Sequence, residues 1–279
     1  MTEVRHLFDY HMHSDVSSDC FVSMEDQVKR GIELGLIEMC FTEHLDCDPG
    51  DYNERQYRLG DSRSGFMDSA YYDCQIDLCR KKYGDRISLK QGVELGEPQR
   101  FPDVAVDLLR NTSYDLVIGS VHQLYGFDLS LPWPDLSVNE TTAYRDYFTQ
   151  VYDLVKKSDF DILAHLDVVK RCGCDVYGTF DAYSYRDIID EILRLLISKG
   201  RGLEINSSGL RQSSAAPYPC ATVIKWFKEL GGEFISLGSD SHRPAHLAYG
   251  LDEARNIALS AGFKAFATFN RRKVAMVDF

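Results

Sequence analysis

The chain has 279 residues and a formal net charge of −12, with 44% hydrophobic and 27% charged residues. These proportions are ordinary for a globular protein, and no apolar run is long enough to span a membrane. The surplus of acidic residues argues against a nucleic-acid groove, which needs a stripe of basic side chains. We therefore expect neither a nucleic-acid partner nor a membrane.

The eight cysteines are scattered along the chain and include no Cys-x-x-Cys pair. Because a chain of this length needs no disulfides for stability, they are interpreted as reduced thiols. The closest pair, Cys172 and Cys174, has no second pair with which to complete a zinc site. The first ten residues lack the apolar segment of a secretory signal peptide, so a cytoplasmic location is expected.

Short β-rich runs alternate with helical patterns along the chain. The predicted strands are 4–10, 37–42, 87–95, 114–121, 161–165, 202–206 and 233–239. The predicted helices are 23–35, 71–84, 101–111, 142–158, 183–200 and 218–232. The first helix has Ser23 as its N-cap and ends at Gly35.

This alternation predicts βαβ units and a parallel sheet. About seven units favour a closed α/β barrel over a doubly wound sheet, although periodicity alone leaves both open. Residues 46–66, 126–139 and 172–183 are too long and polar for ordinary connections, so they are predicted to form walls or lids of an active site.

The first unusual motif is "DYHMHSD", residues 9–15. At the end of a β-strand, the side chains of His11 and His13 would point to the same face and could bind one divalent ion. A His-x-His pair also occurs in surface turns, so the residues at the other strand ends are needed to distinguish a metal site from a turn.

Polar residues follow each of the other predicted strands, and Asp19 lies further along the first loop. They are Glu43, His44, Glu94, Glu97, His122, His165, Asn206, Arg211, Asp240 and His242. Six of the eight histidines therefore lie where the strands of a parallel barrel open onto one face. Core packing or a solvated surface explains such a set poorly.

Nitrogen and carboxylate ligands without thiolate suit zinc, manganese or iron(II). Roughly nine ligands exceed the capacity of one ion, so two or three ions and a bridging carboxylate are implied. Clustered cations activate water and neutralise a phosphate-like transition state, which indicates a metal-dependent hydrolase.

At these residues the sequence resembles the PHP (polymerase and histidinol phosphatase) superfamily, and most closely its stand-alone histidinol-phosphate phosphatases. Seven blocks match in order: "HMH", "TEH", "GVELG", "SVH", "AHLD", "LEINSSGLR" and "GSDSH". The resemblance implies a distorted (β/α)7 TIM-like barrel, with a trinuclear centre at the C-terminal ends of the strands. We accordingly expect residues 1–279 to form a single PHP-type barrel domain.

The resemblance also implies how three metal ions would be held. The implied ligands are His11, His13, Glu94 and Asp240 for the first ion, Glu94, His122 and His165 for the second, and Asp19, His44 and His242 for the third. Some relatives have histidine in place of Asp19, so this site would be weaker or prefer another metal. Asp15 is an alternative ligand at that site.

For the chemistry, Glu94 is expected to bridge two ions, and Asp240 or the nearby His242 to move a proton. The phosphate would be bound by Arg171 and Arg211, helped by Lys170, unless these arginines are surface charges that balance an acidic protein. Glu43 or Glu97 would meet a cationic amine.

The activity implied by the resemblance is hydrolysis of L-histidinol phosphate in histidine biosynthesis. Two alternatives remain. One is a phosphoesterase acting on a phosphotyrosine protein, a nucleotide or a DNA end, and the other is a non-catalytic metal-binding domain. The sequence leaves the native metals and the oligomeric state open.

Overall fold

The computed structural model describes residues 7–48, 67–110, 112–133 and 137–279. The strands are β1 (Leu7–Asp9), β2 (Leu36–Asp46), β3 (Ser88–Gly96), β4 (Leu116–Ser120), β5 (Gln123–Leu124), β6 (Phe127–Asp128), β7 (Ile162–Leu163), β8 (Gly202–Asn206), β9 (Ile235–Gly238), β10 (Ala265–Asn270) and β11 (Lys273–Asp278). The α-helices are α1 (Met24–Leu34), α2 (Ser69–Tyr83), α3 (Pro102–Leu109), α4 (Glu140–Lys157), α5 (Lys170–Tyr177), α6 (Arg186–Ser198), α7 (Ala221–Glu229) and α8 (Leu251–Ala261). None of these helices is long and apolar enough to cross a lipid bilayer.

Seven strands form one parallel sheet in the order β1-β2-β3-β4-β7-β8-β9. The chain just after β1 also bonds to β9 and the residues that follow it. The Tyr10 amide donates to the Leu237 carbonyl at 2.9 Å, and the Asp240 amide donates to the His11 carbonyl at 2.7 Å. The sheet therefore closes, and the expected TIM-like α/β barrel is confirmed.

The first helix shows how local sequence sets an element's bounds. The Ser23 side chain accepts a hydrogen bond from the Asp26 amide, which satisfies one of the free donors at the start of α1. Gly35 ends the helix in the left-handed conformation, with φ at 76°, which a residue without Cβ adopts at little cost. Both predicted ends of this helix are confirmed.

A C-terminal hairpin of β10 and β11 closes the amino end of the barrel. Phe269 is buried there among Tyr10, Ile118 and Ile162 in a small second core. In the turn of the hairpin, Arg272 pairs with Asp161, which directly precedes β7. The opposite end of the barrel, where the strands terminate, remains open for a site.

The structure corrects one of the three predicted walls. Residues 172–183 were expected to form a loop, but most of that segment lies in α5 and in a 3-10 helix, Ala182–Tyr185. Gly173 in α5 packs so closely on the Tyr144 ring of α4 that an added Cβ would collide with the Tyr144 hydroxyl. Tertiary packing thus stabilises a helix of only 8 residues, which is too short to be stable on its own.

Within the predicted wall at residues 46–66, residues 49–66 lie outside the described part of the chain, as do 134–136 in the predicted wall at 126–139. Helix α8 and the C-terminal hairpin were not predicted. The single domain spanning 1–279 stays a prediction.

Candidate metal centre

The structure brings all nine predicted metal ligands together at the carboxyl end of the barrel. Two of them lie on strands: His44 on β2 and Glu94 on β3. They are direct cross-strand partners and so point to the same face. The other ligands lie in segments that leave the strands. They are His11, His13 and Asp19 after β1, His122 after β4, His165 after β7, and Asp240 and His242 after β9.

Glu94 is the centre of this cluster, and it is 1% exposed. Its Oε2 atom lies 3.1 Å from His11 Nε2 and 3.1 Å from His44 Nδ1. Its Oε1 atom lies 3.0 Å from His122 Nε2 and 2.8 Å from His165 Nε2. The two oxygens of one carboxylate thus face two separate groups of imidazoles, which is the geometry of a bridging ligand.

Two further carboxylates face the outer imidazoles. Asp240 Oδ1 lies 3.4 Å from His13 Nε2 and 3.5 Å from His242 Nδ1. Asp19 Oδ2 lies 3.4 Å from His44 Nε2 and 3.2 Å from His242 Nε2. Asp15, the alternative to Asp19, instead accepts a hydrogen bond from the Tyr71 hydroxyl at 2.9 Å.

The backbone at two of these residues is strained. Asp240 has φ at 52° and His165 has φ at 23°, both in the region that residues with a Cβ rarely adopt. Each conformation is held by a main-chain contact, from the Asp240 amide to the His11 carbonyl and from the His165 amide to Glu204 Oε2 at 2.9 Å. Strain of this kind concentrates at functional sites.

Glu204 is a buried carboxylate that the sequence analysis missed. Its Oε1 lies 2.6 Å from Nδ1 of His11, while Nε2 of the same ring faces Glu94. A carboxylate behind a metal-binding histidine fixes the ring and raises its basicity. Glu204 lies inside β8, where nothing in the local sequence separates it from an ordinary strand residue.

Neighbouring imidazoles of the cluster are shifted toward opposite charge states. Burial, together with the neighbouring rings of His44 and His242, lowers the pKa of His13 to about 3. Burial also opposes charge on His44, but the carboxylates of Asp19 and Glu94 outweigh it and raise the pKa of His44 to about 10. His13 and His44 are stacked, with ring centroids 4.1 Å apart, and their pKa values are thus shifted in opposite directions.

The donor atoms fit divalent cations. His13 Nε2 and His44 Nδ1 are buried and have no hydrogen-bond partner among the described residues. Carboxylate oxygens nevertheless lie 3.1 to 3.5 Å from both nitrogens. A cation between nitrogen and oxygen would satisfy both, and in the described part of the chain four sets of donors lie close enough to hold one. They are His13, His44 and His242; His11, His13 and Asp240; His11, Glu94 and His165; and His44, Asp46 and His122.

Asp46 in the last of these sets was not predicted as a ligand. Its Oδ1 lies 3.4 Å from His122 Nδ1, whereas the Nε2 of that ring faces Glu94. Asp46 therefore holds the far side of His122 in the way that Glu204 holds His11.

The cluster opens into a cavity of about 270 Å³. Its wall includes the predicted phosphate ligands Arg171 and Arg211, together with Arg243 and His246, which follow the "GSDSH" block and were missed. Asp128, at the end of β6, is the one carboxylate of the described wall outside the predicted ligand set. It lies in the predicted wall at 126–139.

The two arginines differ in their surroundings. Arg211 donates from Nη1 to the Ser239 carbonyl and from Nη2 to the Asp240 carbonyl, both at 2.8 Å. Its Nε is buried and has no hydrogen-bond partner among the described residues. Arg211 therefore holds the backbone of a predicted ligand as well as lining the cavity, while Arg171 lines the cavity at the first turn of α5.

Three residues predicted to contact the substrate do not line the described cavity, because their side chains are buried. Lys170 is 2% exposed and donates to Asp167 and to the Pro217 carbonyl, both at 2.8 Å. Glu43 accepts hydrogen bonds from Ser14 and Ser17.

Glu97 is the third, and it accepts from the amides of His122 and Gln123. The sequence places these residues near strand ends correctly, but it does not show which way each side chain turns.

Residues 9–208 match the family model of the PHP domain. The chain belongs to the PHP domain family. This PHP chain is 31% identical over 277 residues to the histidinol-phosphatase of Lactococcus lactis subsp. lactis, covering 95% of each protein. It is 26% identical to the probable histidinol-phosphatase of Thermotoga maritima, covering 97% of this chain and 99% of the relative.

Two solved structures agree with the fold. The crystal structure of histidinol phosphate phosphatase from Lactococcus lactis, complexed with zinc, L-histidinol and phosphate, matches with a TM-score of 0.83 at 30% identity. That match covers 96% of this chain and 98% of the other. A putative histidinol phosphatase from Listeria monocytogenes matches with a TM-score of 0.75 at 18% identity, covering 88% of this chain and 99% of that one.

Proposed function

We propose that this PHP protein is a metal-dependent phosphomonoesterase that hydrolyses L-histidinol phosphate to L-histidinol and phosphate. The observation that carries the proposal is the buried cluster of imidazoles around Glu94, which opens into a small cavity lined by arginines. The activity named for the Lactococcus relative, and the zinc, L-histidinol and phosphate in its crystal structure, support the same conclusion.

The centre would hold two or three divalent ions, of zinc, manganese or iron. We assign His11, His13, Glu94 and Asp240 to the first ion and Glu94, His122 and His165 to the second. The third would use Asp19, His44 and His242. When bound, such ions lower the pKa of water and neutralise the charge on phosphoryl oxygens.

Phosphate binding is assigned to Arg171 and Arg211, whose guanidinium groups can donate two parallel hydrogen bonds to a phosphoryl group. Arg243 adds a third positive charge to the same wall. Three guanidinium groups beside the metal cluster favour a ligand of high negative charge, such as a phosphate monoester.

Hydrolysis breaks the bond between phosphorus and the ester oxygen, and the released alcohol needs a proton on that oxygen. His242 is 28% exposed on the cavity wall, and its Nδ1 lies 3.5 Å from Asp240 Oδ1. We assign this pair to hold and deliver the proton.

The cationic amine of histidinol would meet Asp128, which lines the cavity, whereas the buried Glu43 and Glu97 do not. Asp128 lies in the short hairpin of β5 and β6. Its Oδ1 accepts a hydrogen bond from the Ser130 amide at 2.7 Å, which fixes the orientation of the carboxylate. A negative charge in the same cavity wall as three arginines would favour a substrate that carries both a phosphate and an ammonium group. A cytoplasmic location and the absence of a nucleic-acid partner stay predictions from the sequence.

The test is phosphate release by protein that has been stripped with chelator and reloaded with zinc, manganese or iron(II). The panel contains L-histidinol phosphate, a phosphotyrosine peptide, a nucleoside monophosphate and the amine-free analogue of histidinol phosphate. We expect the highest kcat/KM for L-histidinol phosphate and more than one metal ion per chain by elemental analysis.

A variant with Asp128→Asn should lose the preference over the amine-free analogue while keeping its metal. Full activity in metal-free protein would contradict the metal centre. A higher kcat/KM for another member of the panel would contradict the proposed substrate.

A further inference from the structure

A buried ion pair lies beside the cavity but outside the metal cluster. The Lys170 ammonium group and the Asp167 carboxylate are 2% and 0% exposed, and Nζ lies 2.8 Å from Oδ2. Lys170 also lies over the rings of Tyr218 and Phe180, at 5.0 and 5.7 Å from their centroids. Neither charge reaches the cavity.

The pair joins two separate segments of the chain. Lys170 Nζ donates to the Pro217 carbonyl at 2.8 Å, and Asp167 Oδ2 accepts from the Cys220 amide at 3.0 Å. Asp167 lies between β7 and α5 and Lys170 is the first residue of α5, whereas Pro217 and Cys220 belong to the segment between β8 and α7. One ion pair therefore holds both segments.

Each of these segments carries an arginine of the cavity wall. Arg171 directly follows Lys170 in the first turn of α5, and Arg211 lies earlier in the segment between β8 and α7 that Lys170 contacts at Pro217. A second contact between the segments, from the Ser213 hydroxyl to the Arg171 carbonyl at 3.3 Å, ends on Arg171 itself. The contacts thus converge on the backbone that presents the Arg171 side chain to the cavity.

Stability alone does not account for the pair. Desolvating two charges costs about as much as their attraction returns, so apolar residues of similar volume are often equally stable in such positions. Apolar side chains would fix the backbone of Arg171 less well than the ion pair does. They could not form the directional hydrogen bonds with the Pro217 carbonyl and the Cys220 amide.

We infer that the Lys170–Asp167 ion pair is a positioning device that holds Arg171 against the phosphoryl group, and this inference rests on the proposed function. Lys170 acts through Arg171 and does not touch the substrate. The affinity of the metal-loaded protein for phosphate should therefore depend on Lys170 only while Arg171 is present.

The test is a double-mutant cycle with inorganic phosphate as the probe and zinc-loaded protein in the calorimeter. We expect Arg171→Ala to weaken phosphate binding by about tenfold, the scale of a lost charged hydrogen bond. Lys170→Met should weaken it about fivefold in the native background, but by less than about twofold when Arg171 has already been replaced by alanine. Zinc content should be unchanged throughout.

Lys170→Met leaves Asp167 as an unpaired buried charge and could prevent folding. The variant carrying both Asp167→Asn and Lys170→Met removes the two charges together and is expected to fold, with the same loss of affinity and the same dependence on Arg171. Arg272→Met is the matched control, because it breaks an ion pair at the other end of the barrel. That variant should lower stability without changing phosphate affinity.

Equal losses of affinity with and without the Arg171→Ala substitution would overturn the inference, since they would indicate a merely structural role. An Arg171→Ala variant with unchanged affinity would overturn it as well. Failure of the proposed function would be seen in a different measurement, as no turnover of L-histidinol phosphate by the native protein. The phosphate affinities of the variants can be compared whatever that measurement gives.

Discussion

Glu94 and His44 are registered partners on neighbouring strands, and Nδ1 of His44 lies 3.1 Å from Oε2 of Glu94. The other oxygen of the same carboxylate faces His122 and His165. This relationship follows from the sheet itself, because parallel strands in register present their side chains side by side at the barrel's open end. Loss of this carboxylate should therefore disturb two ions together.

The first prediction concerns Glu94→Gln, which keeps the size of the side chain but removes its charge. We expect the variant to lose at least one metal ion per chain and more than about 100-fold in kcat, since even substitutions behind a metal ligand cost roughly 10- to 100-fold. Elemental analysis and phosphate release measure the two effects. Normal metal content in a correctly folded variant would contradict a bridging role.

The second prediction concerns Glu204→Gln. The amide can still meet His11, but it no longer provides the charge that orients the ring and raises its basicity. Zinc affinity should fall by roughly 10- to 100-fold, as measured by competition with a chelator. Glu38→Gln, at the other end of the barrel, is the matched control and should leave zinc affinity unchanged.

The third prediction is steric. A Cβ built on Gly238 would collide with Cβ of His11 and Oε1 of Glu204. Gly238→Ala should therefore reduce zinc affinity, although no donor atom is changed. Ser236→Ala, on the same strand, adds no volume and should bind zinc normally. If Gly238→Ala binds zinc with native affinity, the position of His11 is less tightly fixed than the packing indicates.

The sequence predicts most of the metal cluster because its members lie at strand ends. A polar residue that follows an apolar run in a β/α repeat falls on the open end of the barrel, whatever the exact packing. His122 and His165 could be placed by this rule alone. The same alternation favours a closed barrel over a doubly wound sheet, and the resemblance to the PHP superfamily implied the seven-stranded barrel.

The residues that were missed or misplaced depend on side-chain direction. Glu43 and His44 are adjacent in β2, so they point to opposite sides, and only His44 reaches the cluster. Lys170 and Arg171 are likewise adjacent, yet one is buried against Asp167 and the other lines the cavity. Glu204 supports His11 across 193 positions of sequence, a contact that only the closed barrel creates.

The fourth prediction concerns acid stability. Hydrogen bonds from Lys82 and Tyr83 lower the pKa of Glu25 to about 2, below the value of about 4.3 for an unfolded chain. Because the folded pKa is the lower one, the stabilisation is complete above the unfolded pKa and is lost as the pH falls toward 2.

Glu25→Gln should therefore be less stable than the native protein at pH 6, and the deficit should shrink below pH 4. Urea unfolding at several pH values measures this difference. Glu33→Gln is the matched control, because Glu33 pairs only with Arg30 of its own helix among the described residues. A deficit for Glu25→Gln that stays constant from pH 6 to pH 3 would contradict the prediction.

The last prediction distinguishes the roles of Arg171 and Arg211, which were both predicted from the sequence to bind phosphate. Arg211 donates two hydrogen bonds to the carbonyls of Ser239 and Asp240, so its truncation should displace a metal ligand as well as remove a charge from the cavity. Arg171 has no such contact with the ligand backbone among the described residues. We expect Arg211→Ala to lower both zinc content and kcat/KM.

Arg171→Ala should instead keep its zinc and lose about 2–4 kcal/mol of transition-state stabilisation, with weaker inhibition by inorganic phosphate. An exposed arginine without a role would change kinetics and stability by about 0.5 kcal/mol at most. These outcomes differ more than about tenfold in rate, so steady-state kinetics and elemental analysis on both variants resolve them. If both variants retain native kcat/KM, the metals and the backbone alone hold the phosphate. The assignment of the two arginines would then be wrong, while the metal centre would stand.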